Sequence, residues 1–176
     1  MGTKRERVRT ELRALAGGKA KAAPVAIEKP TRLAVYVTPD LFRRYMLRPY
    51  QRRCELLHRA GKFVHAHWDG DCRPLLPYAK DTGLDGIEAV TPIPQGDVTL
   101  EETKDALGEM FLIDGIPAIY FDKTFSEPTL IDCANRCIDL FAPNLILGIS
   151  DEISSTGDIE RIRLVGEVVD DYNASL

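Results

Sequence analysis

Short apolar runs at residues 33–37, 63–67, 86–90, 110–113 and 145–149 alternate with longer stretches whose apolar positions recur every three or four residues. Runs of four or five read as buried strands, and the 3.6-type recurrence reads as amphipathic helices. The helix after the first strand is opened by Thr38-Pro39 and carries Phe42, Met46, Tyr50, Cys54 and Leu57 on one face. Pro49 is expected to kink it and Gly61 to end it. A second helix is expected to open at Asp71, with Pro74 in its first turn and Gly83 past its end. Thr99 and Glu102 have capping-box spacing ahead of a helix stopped by Gly108. The helix over 127–141 should bury Leu130, Ile131, Ala134, Cys137, Ile138 and Phe141, and the last helix Ile159, Ile162, Val165, Val169 and Tyr172. Strand and helix alternate with no hairpin signal, so the expected fold is α/β with a parallel sheet and right-handed crossovers.

Ahead of this pattern, residues 4–16 look like a short helix ended by Gly17-Gly18, and 19–31 form an Ala/Lys/Pro segment without periodicity. The chain therefore divides into an N-terminal helix and arm, 1–31, and an α/β unit, 32–176. Of the 176 residues 44% are hydrophobic and 28% charged, the balance of an ordinary soluble globular chain. The net charge of −4 argues against a nucleic-acid or anionic-membrane surface. Met1-Gly2-Thr3-Lys4-Arg5 is charged with no apolar segment behind it, so no secretory leader is expected and a reducing cytoplasm fits best. Cys54, Cys72, Cys133 and Cys137 follow no zinc-finger spacing. Cys133 and Cys137, one helical turn apart in an apolar stripe, read as reduced core residues, with a metal-binding pair as the alternative.

Chemistry concentrates where strands end. Val64-His65-Ala66-His67-Trp68-Asp69-Gly70-Asp71 closes the second strand with titratable side chains, and alternation points His67 and Asp69 the same way. His65 shares that face, as a third ligand or, more often for a residue deeper in a strand, as a hydrogen-bonded core histidine. Trp68 points away, and His58 is expected to face solvent. Glu88, Asp114 and Ser150-Asp151-Glu152 end three further strands. Acids converging from several strand ends are how (β/α) barrels build active sites, and no glycine-rich phosphate loop follows any strand. Tyr120 and Phe121, after Pro117, are candidates to roof a flat ligand, against a default of aromatic core.

These residues resemble the uroporphyrinogen decarboxylase superfamily, which includes cobalamin-dependent methyltransferases. Thr38-Pro39-Asp40-Leu41-Phe42 is similar to that family's "S-P-E-L-F" helix start. His67-Trp68-Asp69-Gly70 with Pro74-Leu75-Leu76 is similar to the methyltransferases' "H-x-C-G" and "P-x-L". Thr82-Gly83-Leu84-Asp85-Gly86 is similar to "G-x-D", and the segment 147–160 to the closing "G-x-G…T-P-x-E-N". Thr3-Lys4-Arg5-Glu6-Arg7-Val8 is similar to the family's opening "S-R-E-R-V". The resemblance spans roughly residues 31–175 and implies the later part of a (β/α)₈ TIM-type barrel, with the early barrel strands missing and Lys21-Ala22-Ala23-Pro24-Val25 where the family carries "D-R-V-P".

It further implies a small-molecule substrate and a corrinoid or one-carbon methyl transfer, with catalytic His67, Asp69 and Asp151, and Glu88, Asp114 and Tyr120 lining the substrate. Zinc, where the family holds it, would fall to His67, Asp69 and Asp151, an oxygen-rich set in place of the family's thiolates. A corrinoid would arrive on a partner protein. The alternatives are a porphyrinogen decarboxylase of tetrapyrrole biosynthesis, which needs neither metal nor cofactor, and a non-catalytic half-barrel. Five strands cannot close a barrel, which takes about eight. Val35, Val64, Ile87, Leu112 and Ile146 are expected to line its open interior, and a homodimer to cover it.

Overall fold

The computed structural model describes residues 37–176. The expected helix at 4–16, the arm to residue 31 and most of the strand at 33–37 lie outside the described residues. Thr38 caps the first helix, its Oγ1 accepting from Leu41 N at 3.3 Å, and Pro39 occupies the first turn. The helix runs as α1 (Pro39–Leu41), a widened π turn (Phe42–Met46) and α2 (Leu47–Arg59). Proline cannot donate to the carbonyl four residues back, which for Pro49 is Tyr45. The widened turn holds that residue, so the helix passes Pro49 unbroken. Phe42 and Cys54 are buried on its inner face, whereas Leu57, expected there, is 40% exposed.

Strand β1 (His65–His67) follows Gly61, which ends the helix at φ +69. His58 does not simply face solvent: its Nε2 lies 2.8 Å from Asp85 Oδ2, and the same carboxylate oxygen accepts from Val64 N at 2.7 Å. Asp85 thus ties α2 to the connection into β2 (Gly86–Glu88).

The helix expected from Asp71 is absent. Cys72 N and Arg73 N are instead capped from a distance by Asp97 Oδ1, at 2.8 and 3.1 Å. Pro74 and Pro77 each lack a donor, and only a 3₁₀ segment forms, over Leu76–Thr82. Gly83 then turns the chain at φ +81.

The Thr99/Glu102 capping box forms in both directions and opens α3 (Leu100–Leu107), which Gly108 ends. Strand β3 (Phe111–Pro117) runs four residues past its expected end, and a 3₁₀ turn (Ala118–Phe121) leads to α4 (Glu127–Phe141). Ser126 caps α4, which buries Leu130, Ala134, Cys137, Ile138 and Phe141 as its spacing predicts, whereas Ile131, expected with them, is only half-buried. Strand β4 (Leu145–Ser150) and α5 (Arg161–Ala174) complete the described chain. The last helix packs differently from expectation: Ile159 lies before its start, 62% exposed, and Ile162 is 42% exposed. Arg161 is buried in their place, its guanidinium donating to the Tyr120 carbonyl at 2.9 Å.

The four strands form one parallel sheet in the order β1-β2-β3-β4. Paired residues point to the same face, so the register sorts them. Ala66, Ile87, Leu112 and Leu145 are one row, with Ile87 and Leu112 fully buried under the helices. His67, Glu88, Ile113 and Ile146 are the next row and face the other way. Ile146, on that face, is 59% exposed. Of the residues expected to line the interior, only Ile146 does so; Val64, Ile87 and Leu112 share the parity of the helix-covered face, and Val35 lies outside the described residues.

Candidate active site

The sheet face left uncovered by the described helices carries a cluster of titratable side chains. Glu88 Oε2 lies between two imidazoles, 3.4 Å from His65 Nδ1 and 3.8 Å from His67 Nδ1. Both histidines are about half exposed, so His65 belongs to the open face rather than to a core. One-to-one pairing of His67 with Glu88, and a two-residue step back to His65, give this arrangement directly.

Asp114 joins them by a distortion. Strict alternation after Ile113 would turn it under the helices, but its backbone sits at φ +81 and that of Gly115 at φ +102. The side chain swings instead over Gly148, where a Cβ would stand 2.7 Å from Asp114 Oδ1. Gly148 is therefore glycine because the Asp114 carboxylate occupies its side-chain space. Burial raises the Asp114 pKa, and the neighbouring Glu88 raises it further. A hydrogen bond from the Ala89 amide and the proximity of His67 and His65 draw it partly back. Ala89 is itself at φ +65. The Gly115 amide donates to Ser150 Oγ at 3.1 Å, and Ser150 is fully buried. Left-handed backbone at a non-glycine residue costs free energy and clusters at functional sites. Among the described residues three such positions occur, Ala89, Asp114 and Asp151, and all lie in or just after a strand of this sheet.

Asp69 and Asp151 come just after the ends of the parallel strands β1 and β4, at the same end of the sheet as Glu88, and Tyr120 stands apart. Asp69 follows the end of β1, so alternation no longer governs it; its Oδ1 accepts from Gly70 N at 2.6 Å. Asp151 follows Ser150, which pairs with Pro117, whereas Asp114 pairs with Leu147 four residues earlier on β4. Tyr120 packs edge-on against Phe125, centroids 5.2 Å apart, and lines a separate cleft with Cys133 and Arg136. Burial raises its hydroxyl pKa. Phe121 is fully buried core, and Trp68 packs edge-on to Phe42 with its Nε1 3.3 Å from the Tyr50 hydroxyl, on the helical side as its parity predicts. Ala89, Gly148 and Ser150, which set the position of Asp114, carry no charged signal in the sequence. The one hint is small residues at the ends of two strands, Ala89 after β2 and Gly148 and Ser150 on β4.

A catalytic zinc site takes three protein ligands and an open position. Among the described residues no three His, Cys, Asp or Glu side chains are grouped to hold a metal ion. His67, Asp69 and Asp151 do not fit zinc in this arrangement.

No family model matches the chain. No curated protein matches it either. Among solved structures it is similar to a methyltransferase from Methanosarcina mazei, with a TM-score of 0.61 at 16% sequence identity. The match covers 78% of this chain and 38% of that one, so the chain spans about two-fifths of the length of its structural neighbour. The fold is part of a TIM-type barrel, α/β with parallel strands alternating with helices. In that geometry the helix-free face is the barrel interior. No helix of the described residues is long and apolar enough to cross a membrane.

Proposed function

We propose that the barrel-interior face is a methyl-transfer site of the corrinoid or one-carbon type, with His65, His67, Glu88 and Asp114 as its working groups. The observation that carries this is the cluster itself: two imidazoles and two carboxylates from three strands, held together by strained backbone on the face where barrel enzymes act. A methylated corrinoid on a partner protein is the donor implied by the sequence resemblance, and it would supply an electrophilic methyl group.

The chain's own residues serve the acceptor. A thiol or amine acceptor must lose a proton to expose its lone pair, and His67, half exposed, receives that proton. Glu88, between both imidazoles, stabilises the imidazolium that results. Asp114, whose acid form is favoured by burial, holds the acceptor by hydrogen bonding. Asp69 and Asp151 stand at the rim of the same strand ends and contact the substrate's outer part. The partners are a small-molecule acceptor and a second copy of the chain.

Incubation with methylcobalamin and a panel of thiols and amines tests this, read by the cobalamin spectrum and by methylated product. His67→Ala should lower turnover roughly 10²–10⁴-fold, with the circular dichroism unchanged. Equal turnover by the two proteins, or none by the wild type with any acceptor, contradicts the reading.

A further inference from the structure

The exposed apolar side chains gather at the two ends of the sheet. Of the ten large ones exposed among the described residues, nine lie within 41–63 or 146–176, and Ile93 is the exception. Phe63, just ahead of β1, is 84% exposed, with Leu56 and Leu57 exposed on α2 before it. At the other end Ile159 and Ile162 are exposed. There a cleft of about 370 Å³ separates Leu147 and Ile149 on β4 from Val165 and Val169 on α5. β1 and β4 are the outer strands, so each has one edge with no strand partner among the described residues.

The two ends also carry opposite charge. From residue 39 to 62, through α1 and α2, seven Lys or Arg stand against two acids. Both acids are engaged locally, Asp40 with Arg43 and Glu55 with Arg59. Arg48, Arg52 and Arg53 are exposed. From 151 to 174, through α5, the balance reverses to seven Asp or Glu against two Arg. Glu167, Asp170 and Asp171 are exposed, and Asp170 borders the cleft. The net charge of −4 is thus the sum of a basic end and an acidic end.

We propose that two copies join head to tail, the acidic β4–α5 end of each against the basic α2–β1 end of the other. A two-fold axis along the barrel makes both contacts at once, so no charged end is left to recruit a third copy. The four described strands of each copy then give eight, about the number that closes a barrel. The apolar side chains exposed at the two ends cover each other, which favours association by roughly 25 cal/mol per Å². A nucleic acid or an anionic membrane would engage the basic end alone and leave the acidic end and its apolar cleft open. The pairing deepens the function proposed above and rests on it for what the shared interior does. His65, His67, Glu88 and Asp114 of both copies line one barrel, and a single copy holds half of that site.

Charge reversal in the full chain tests the pairing, read by analytical ultracentrifugation with circular dichroism as the check on folding. One variant combines Arg48→Glu, Arg52→Glu and Arg53→Glu; the other combines Glu167→Lys, Asp170→Lys and Asp171→Lys. Each alone makes the two ends alike in sign, and at low salt its dimer should dissociate at least about tenfold more readily than the wild type. Mixed one to one, the two variants should pair again, because one contact is then wild-type and the other has both signs exchanged. The wild-type dimer should weaken as salt rises from about 0.05 to about 0.5 M. A wild-type monomer at micromolar concentration would give the two ends to the chain's own residues 1–36 or to another molecule, and overturns the proposal. A dimer that neither reversal weakens, or variants that stay apart when mixed, overturn it as well. The readout is mass rather than turnover, so failure of the pairing and failure of methyl transfer are told apart.

Discussion

Asp114 holds a carboxylate over Gly148 at φ +81, a conformation that costs a non-glycine residue about 1–2 kcal/mol. Its charge adds to that cost. Burial and Glu88 raise its pKa in the fold above the 3.8 of the free side chain, so the folded protein binds this proton more tightly than the unfolded chain. The stability this linkage contributes is fully present below the unfolded value and is lost as pH rises through the folded one. At neutral pH the ionised carboxylate therefore costs stability. Asp114→Asn removes the charge and keeps a side chain that, like Asp, is accepted on left-handed backbone. We expect it to raise stability at about pH 7 by up to about 1 kcal/mol, discounted for the solvent that reaches the site, or about 2–4 °C in Tm, with no gain near pH 3. Calorimetry at the two pH values checks this, and methyl transfer should fall in the same variant.

At this scale the sequence was legible where strand alternation holds and silent where it fails. His67 and Glu88 follow from period two, and Asp114 from its place after an apolar run. Asp69 follows from the same period by equal logic, but β1 ends at His67 and the carboxylate turns to Gly70. His65 reads as core only if the interior is filled, and on this open face it is half exposed.

Among elements, capping chemistry was the most transferable signal because it is local. The Thr99/Glu102 box forms in full, and Glu102 also pairs with Arg73, joining α3 to the loop after β1. Thr99→Ala leaves the Glu102 amide without its acceptor and should cost about 1 kcal/mol, checked by urea unfolding. A loss under a few tenths would show that the box is incidental. The segment 71–82 misled for the opposite reason. Asp71 precedes it with suitable spacing, but Asp97, far along the chain, supplies the carboxylate that caps Cys72 and Arg73. Such a partner has no local signature. The last helix departs from its apolar pattern because Arg161, charged yet buried on the Tyr120 carbonyl, takes the place of its apolar neighbours.

For the whole molecule, parity decides what kind of surface the sheet offers. Ile87 and Leu112 serve the helix layer, so the interior face is a mixture of titratable groups with Ile113 and Ile146. Four described strands leave that face open, with Ile146 59% exposed. Covering it, and the edge of β4, in a second copy would shield apolar surface worth roughly 25 cal/mol per Å². We expect a homodimer at about micromolar concentration by light scattering, with an interface above roughly 1,000 Å². Ile146→Asp should shift it toward monomer; a wild-type monomer would contradict this assembly.

Three strands bring His65, His67, Glu88 and Asp114 together on the barrel-interior face. A carbon-13 titration of the Asp114 carboxyl, in wild type and in Glu88→Gln, tests it most directly. The wild-type midpoint should lie above the ordinary aspartate range and fall when the Glu88 charge is removed. An ordinary midpoint, identical in the two proteins, would contradict it.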